Sequence, residues 1–591
     1  MDHMENDTLK RPKKPKTVPL YLRIEEWDIT PRFGIKKVVN PQTPPIFHDV
    51  CGLDVENDEN TGAFLLLGIF DGTTYYGWTK FEMAKMVYIP QFSGHNGISD
   101  LEKMKVWGFK VADTSLVWDS QLYQHIQDSS QRTYSLKDVS KRELNYEFPS
   151  YEDICGKKTN KSHKPFTQQP IELVISKNAS DCYATYHLMK KQRARSTAQQ
   201  QMYYQSVESS VSKVFHAMSE KGIRIDVPYL KQLEQELSGK RDVLEKEIKN
   251  ELGNINLNST PQLLKALALK NIYPVGVKGK NRGKPSADKF ALEKYKDIYF
   301  VNKLRERNEL ETLISSFISP YIGRNIEITH PNFLQTGTRT GRPSCSNPNL
   351  LQIPRREEER FYDGKLVRRM FIPREGMQFG ELDYGQIEPR LLAHLSKDSS
   401  MCEMFSSGTD FHNYTAERLG IGREAAKVLN LSVGYRATFK SVSQQLKCSE
   451  QEAQKQIDAW WSAFPQLYAW QTKLIWQAKK DGYFTTLMGR RINVDGLNEY
   501  NKWKREHAER QLINNIAQAS ATEVMKHVMI QAHKHNINIL VQVYDSLLIE
   551  EPKDEIEAQI EKAADIMKHA VKLDVPLTVD YGIGSSWADV K

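Results

Sequence analysis

The sequence predicts a multidomain protein of mixed α/β and α+β class, and three observations carry that expectation. The chain has 591 residues, enough for about four domains at roughly 150 residues each. Short apolar strand-like runs alternate with helical patterns from Val50 to about Leu188, as in an α/β unit. A helical stretch from about Val207 to Ile322 then gives way, beyond Pro331, to strands and helices mixed to the C-terminus.

Residues 1–45 read as a polar, Pro-rich segment carrying the charge run Lys10-Arg11-Pro12-Lys13-Lys14-Pro15-Lys16. Such a run is a solvated tail, a nucleic-acid arm or a nuclear-import signal. It is followed by prolines and not by an apolar stretch, so it does not resemble a signal peptide. The longest apolar run, Ala63 to Phe70, is far short of the roughly 20 residues a membrane-spanning helix needs. Six scattered cysteines without a CxxC pair suit reduced thiols in a cytoplasmic compartment. Lysine and arginine exceed aspartate and glutamate by 82 to 74, so an anionic partner must be held by local basic surfaces.

In the α/β unit, Leu53-Asp54-Val55-Glu56 follows a strand-like entry. Side chains alternate across a strand, so Asp54 and Glu56 share one face. Two acids aimed at one point need a cation to offset their repulsion, and two divalent ions about 4 Å apart can clamp a phosphodiester. Asp100 in the segment Gly94-His95-Asn96-Gly97-Ile98-Ser99-Asp100, and later Asp181, bring the acids to four.

The helical stretch shows Val207, Val211, Val214, Phe215 and Met218 at helical spacing, then Tyr229, Leu230, Leu233 and Leu237. Thr260 before Pro261 reads as an N-cap with proline at the first helical position. The loop Lys278-Gly279-Lys280-Asn281-Arg282-Gly283-Lys284 is either a surface linker or a grip on a phosphate backbone through Lys278, Lys280, Arg282 and Lys284.

Further on, Phe379 to Glu388 reads as a strand ending at Asp383, then a turn into a helix. Ile539 to Glu550 reads as a hairpin with Asp545 at its bend. Between them, Gly422 to Tyr435 reads as a helix with Arg423, Lys427, Leu431 and Tyr435 at successive i+4 positions. That slanted stripe is a solvated face or a nucleoside triphosphate site, with cations for phosphates and side chains for sugar and base.

These three segments resemble motifs A, B and C of family A DNA polymerases. Thr340-Gly341-Arg342-Pro343-Ser344, Pro348 to Pro354, Gly489-Arg490-Arg491 and the stripe Arg510, Asn514, Gln518 resemble further landmarks. The earlier acids resemble the DEDD 3′-5′ exonucleases, a ribonuclease H-like fold, with Asp54, Glu56, Asp100 and Asp181 as ligands. The resemblance runs from about residue 48 to the end. It implies the N-terminal segment 1–45, an exonuclease-like domain at 46–200, palm entry and thumb at 201–330, palm at 331–398, fingers at 399–500 and palm again at 501–591. With no 5′-nuclease segment ahead of it, this right-hand layout is similar to bacteriophage replicative enzymes.

By matched position the resemblance makes Asp383 and Asp545 holders of two Mg²⁺ ions, with two more at the exonuclease acids and Mn²⁺ as an alternative. Arg423 and Lys427 take the triphosphate. Leu431, Tyr435, Glu388 and Gln386 line the nucleotide site, with Glu388 against a ribose 2′-hydroxyl. Arg342, Gln518, Asn514 and Arg510 meet the DNA minor groove. The implied protein is a monomer acting on primer-template DNA and dNTPs, with replication accessory proteins as further partners. A single-subunit RNA polymerase relative and a polymerase with an inactive exonuclease domain are the alternatives. The chain departs from the pattern at Lys177 in place of a tyrosine, Tyr544 of a histidine, Ser546 of a glutamate, Leu431 of an aromatic residue, Gly385 of a serine and Pro389 of a leucine, with Ser176 where the other exonuclease branch carries histidine.

Overall fold

The computed structural model describes residues 24–157, 163–277, 281–322, 326–354 and 361–590. The chain divides into two compact units between Ser209 and Ser210. Among the described residues no helix is long and apolar enough to cross a membrane.

The first unit is built on six strands: β1 (Lys36–Val39), β2 (Cys51–Asn57), β3 (Phe64–Phe70), β4 (Thr74–Trp78), β5 (Phe92–Gly94) and β6 (Leu116–Asp119). Their spatial order is β1-β4-β3-β2-β5-β6. Antiparallel pairs link β2 to β3 and β3 to β4, while the other three pairs are parallel. Along β2, Leu53 and Val55 are buried and Asp54 and Glu56 lie half-buried on the opposite face, the alternation that the pleat imposes. Ahead of β1 sits α1 (Ile29–Phe33). Later come α2 (Gly97–Val106), carrying Asp100, and α3 (Ile171–Arg195), carrying Lys177 and Asp181.

Glycines let α3 lie close on the sheet. A Cβ at Gly52 would fall 1.9 Å from the Cys182 carbonyl oxygen, and one at Gly68 would fall 1.7 Å from Asn178 Oδ1. This contact sets α3 down on β2 and brings Asp181 over Asp54 and Glu56.

The N-terminal segment is not a tail throughout. Residues 10–16 lie outside the described residues. From Trp27 on, however, the chain is part of the unit, with Trp27 and Ile29 buried and β1 pairing with β4. The unit also continues past residue 200. The Tyr204 ring packs against Trp118 at 5.0 Å, and its hydroxyl accepts the Asp119 N–H.

In the second unit, α4 (Val227–Leu252) and α6 (Tyr299–Thr312) flank α5 (Thr260–Leu269). Leu230, Leu233, Leu237, Leu244 and Ile248 of α4 enter the same core as Val301, Leu304 and Leu310 of α6. The helical stretch is interrupted at Ile223–Ile225, a short strand held between Phe371–Ile372 and Ile328–Thr329. The N-cap of α5 is Ser259 and not Thr260, so Pro261 is the second helical residue. Its missing donor costs nothing there, because first-turn N–H groups have no intrahelical acceptor.

Lys278 and Lys280 lie outside the described residues. The segment around them is cross-tied: the Gly276 N–H donates to Lys284 O at 2.9 Å and the Gly283 N–H to Gly276 O at 2.9 Å. Arg282 and Lys284 stand exposed on it.

The remainder is organised by an antiparallel sheet of β7 (Met377–Tyr384), β8 (Ile539–Val543), β9 (Ser546–Pro552) and β10 (Val579–Gly584), in the order β8-β9-β7-β10. Four further helices matter to the site: α7 (Ile387–Ser396), α8 (Arg423–Ser432), α9 (Lys502–Lys534) and α10 (Ile556–Lys568). Gly380, Leu382 and Tyr384 turn toward α10. A Cβ on Gly380 would meet Ile560 at 2.8 Å, and the Tyr384 hydroxyl donates to Met567 O at 2.6 Å. Asp383 therefore occupies the other face of the sheet.

The helix expected over Gly422 to Tyr435 ends at Ser432, and Val433–Tyr435 form one 3₁₀ turn closed by Arg436 at φ +60°. Buried Gln471 donates to Gly434 O at 2.8 Å, and Trp460 sits against Gly434. These contacts from other helices satisfy the turn in place of another α-helical repeat.

Candidate active site

Asp383 is the penultimate residue of β7, and Asp545 is the second residue of the two-residue turn joining β8 to β9. Asp383 lies opposite Ser546 and Asp580 in the register, and the Tyr384 N–H donates to Asp545 O at 3.2 Å. Two acids remote in sequence are thereby adjacent at one end of the sheet. The turn is tight because Tyr544 takes φ +56°, a conformation that favours glycine and is unusual for a bulky side chain. Ser546, where the resemblance leads one to expect a glutamate, is buried and donates its hydroxyl to Val543 O at 3.0 Å, bracing the turn.

Tyr544 is 55% exposed, with the Arg342 guanidinium 5.5 Å from its ring centroid. Arg342 also donates to Glu388 Oε1 at 2.6 Å, and the Tyr435 hydroxyl donates to Glu388 Oε2 at 2.8 Å. Burial, then the Glu388 charge, holds the Tyr435 hydroxyl well above the ordinary phenol range, so it stays a donor. Three sequence-predicted residues, Arg342, Glu388 and Tyr435, thus form one chain of neighbours, which reaches Tyr544, the residue before Asp545.

Gln386 is the half-buried N-cap of α7 at φ +55°, and Glu388 lies in the first turn. Pro389 stands at the third helical position, where no intrahelical acceptor is lost. Gly385 has a local reason: a Cβ there would fall 2.5 Å from Thr578 Oγ1, and its N–H donates to Thr578 O at 2.9 Å.

Arg423, Lys427 and Leu431 form an exposed face of α8, Leu431 being 58% exposed. Arg423 donates to Asn413 Oδ1 at 3.0 Å and lies 3.6 Å from Asp410. Tyr435 belongs to the following 3₁₀ turn, so the expected stripe is continuous through Leu431 only. Arg510, Asn514 and Gln518 lie half-buried along α9, with Gln518 donating to Asn514 Oδ1 at 3.2 Å.

Sequence reasoning missed Glu523 and Lys526, which are buried with Arg490 beneath Gly341. Glu523 accepts from Thr486 Oγ1 at 2.5 Å and from the Met488 N–H at 2.9 Å, and burial pushes its carboxyl up to about 7. A Cβ on Gly341 would fall 2.0 Å from Arg490 Nη1. Two charged residues in the apolar half of α9 were the available signal.

In the first unit, Asp54, Glu56 and Asp181 each offer a carboxylate oxygen within 4.8 Å of the others. Asp100 is not in that group but lines the same cavity of about 260 Å³. The Lys177 ammonium pairs with Asp181 Oδ2, and Asn178 donates to Asp54 Oδ2 at 2.8 Å. Burial, with the Asp181 charge beside it, raises Asp54 to about 7. Burial likewise pushes Glu56 and Asp100 well above the carboxylate range. Ser176 turns away from the acids and accepts a hydrogen bond from Lys37 at 3.0 Å.

A family model for DNA polymerase family A matches residues 227–589. DNA polymerase I, thermostable, of Thermus aquaticus is 36% identical over 406 residues, covering 66% of this chain and 48% of that protein. DNA polymerase I of Bacillus subtilis (strain 168) is 34% identical over 416 residues, covering 66% and 46%. The chain spans about half the length of these relatives. Among solved structures, the POL domain of Pol1 from M. smegmatis in complex with DNA primer-template and dNTP matches with a TM-score of 0.76. It is 25% identical, over 92% of this chain and 96% of that one. Fold and site together define a mixed α/β polymerase domain. The chain belongs to DNA polymerase family A.

Proposed function

We propose that the protein is a template-directed DNA polymerase that extends a primer 3′-hydroxyl with dNTPs and releases pyrophosphate. The carrying observation is the adjacency of Asp383 and Asp545 at the end of one antiparallel sheet. The M. smegmatis relative, bound to primer-template and dNTP, supports DNA and dNTPs as ligands here. Two carboxylates on neighbouring strand ends suit a hard divalent cation such as Mg²⁺, with Mn²⁺ as an alternative. When bound, two such ions supply an acidified primer hydroxyl and a neutralised leaving pyrophosphate.

The chain's own residues do the positioning. Arg423 and Lys427, exposed one turn apart on α8, bind the triphosphate, and Lys427 gives a proton to the departing pyrophosphate. Glu388, held at both oxygens, presents a fixed wall toward the sugar 2′ position and favours deoxynucleotides over the ribonucleotides of an RNA polymerase. Arg342, Gln518, Asn514 and Arg510 donate to minor-groove acceptors common to correct base pairs. Residues 210–330 act as palm entry and thumb, 331–398 and 501–591 as palm, and 399–500 as fingers. The first unit, from Trp27 to Ser209, acts as a 3′-5′ exonuclease-like domain on Asp54, Glu56, Asp100 and Asp181. A cytoplasmic monomer working with replication accessory proteins completes the reading.

The test is a primer-template assay with each dNTP offered singly and together. Extension only by the templated nucleotide, with pyrophosphate released, is expected. Untemplated addition or no extension contradicts the proposal. Asp54→Ala is expected to stop 3′-end degradation and leave extension intact.

A further inference from the structure

Lys177 and Asp181 stand one helical turn apart on the buried face of α3. The Lys177 side chain is 8% exposed, and its ammonium pairs with Asp181 Oδ2 at 5.0 Å from the Phe148 ring centroid. The lysine lines the same cavity as the acids, so its charge is presented to them directly. The other Asp181 oxygen, Oδ1, is buried without a hydrogen-bond partner, and Asp181 lines the cavity shared with Asp54, Glu56 and Asp100. One oxygen of the carboxylate is thus taken by a cation the chain supplies, and the other is left for something else.

Charge points the same way. Four ionised carboxylates carry −4, and the Lys177 and Lys103 side chains both line their cavity. Two divalent ions plus two ammonium groups give +6, with like charges crowded against one carboxylate in a medium that screens poorly. One divalent ion plus two ammonium groups gives +4, which cancels the carboxylates and spares that repulsion.

We propose that the Lys177 ammonium takes the place of one of the two cations this kind of carboxylate site holds. The first unit then binds a single divalent ion, through Asp54, Glu56 and Oδ1 of Asp181. The inference rests on the reading of the first unit as a carboxylate metal site.

Mn²⁺ titrated into the full chain to millimolar concentration, with free ion counted by electron paramagnetic resonance, tests it. Ions in this unit are obtained as the difference between each protein and the same protein carrying Asp54→Asn and Glu56→Gln. The expected difference is one ion per chain with Lys177 present and two with Lys177→Met. Lys177→Gln repeats the count if the methionine variant does not fold, and the count with Lys177 present decides if neither folds. Two ions with Lys177 present, or no rise in the variants, overturns the inference and leaves the metal-site reading standing. No ion with Lys177 present overturns both.

Discussion

The Tyr435 hydroxyl donates to Glu388 across 2.8 Å, tying the turn that ends α8 to the first turn of α7. Arg342 takes the other carboxylate oxygen at 2.6 Å. Glu388 is therefore fixed by one residue from each side.

Removing that wall is expected to relax sugar choice. A hydrogen bond to a charged group is worth about 1.5–3 kcal/mol, so Glu388→Ala should lower the dNTP-to-rNTP ratio of kcat/KM by about 10- to 150-fold. Tyr435→Phe leaves the Arg342 contact and should cost under about tenfold. Unchanged ratios in both variants contradict the assignment.

Asp383→Ala is expected to reduce primer extension by about a thousandfold or more, since a lost metal ligand removes several kcal/mol of charge stabilisation. Gel-shift affinity for primer-template should persist. Extension at near wild-type rate is the opposing result.

The glycine at position 385 should be a packing requirement. Gly385→Ser places a Cβ against Thr578 Oγ1 and is expected to destabilise by about 1–3 kcal/mol. Thr578→Ala should recover most of that loss in the double variant, read as melting temperature. Independent, additive losses would show that the two residues do not compete for space.

Glu523 should impose a pH dependence on stability. Its carboxyl is raised from 4.5 to about 7. The folded state keeps a proton that the unfolded chain releases, so stability falls as pH rises from about 4.5 to about 7 and is level above. The full swing is on the order of 3 kcal/mol. Glu523→Gln has no such group, so its melting temperature relative to wild type should rise between pH 5 and pH 8. A constant difference counts against the assignment.

Arg282→Ala with Lys284→Ala should weaken duplex binding at low salt and lower the slope of log affinity against log salt by about 2, one phosphate contact each. An unchanged slope would identify the loop as a linker.

The sheet end was legible because its pattern is local. A strand running into Asp383 and a hairpin bending at Asp545 each announce themselves within a dozen residues, as do the alternating acids of β2. What escaped depends on partners from elsewhere. The end of α8 is set by Trp460 and Gln471, neither of which the helix's own residues foretell. Strand β1 hides in a Pro-rich setting because its pairing with β4 is tertiary. Glu523 and Lys526 read as ordinary helix charges until Arg490 is brought beside them. The departure at Lys177 was visible as a residue type, but its pairing with Asp181 is a fact of packing.

All six thiols are free; Cys51, Cys155, Cys182 and Cys345 are buried, and Cys402 and Cys448 are half-buried. Burial also pushes the Cys402 thiol up, which slows its reaction further. Cys448 is thus the natural attachment point for a maleimide dye. A fluorophore can be fixed beyond α8, and its emission compared with and without DNA and nucleotide, without first stripping cysteines from the chain.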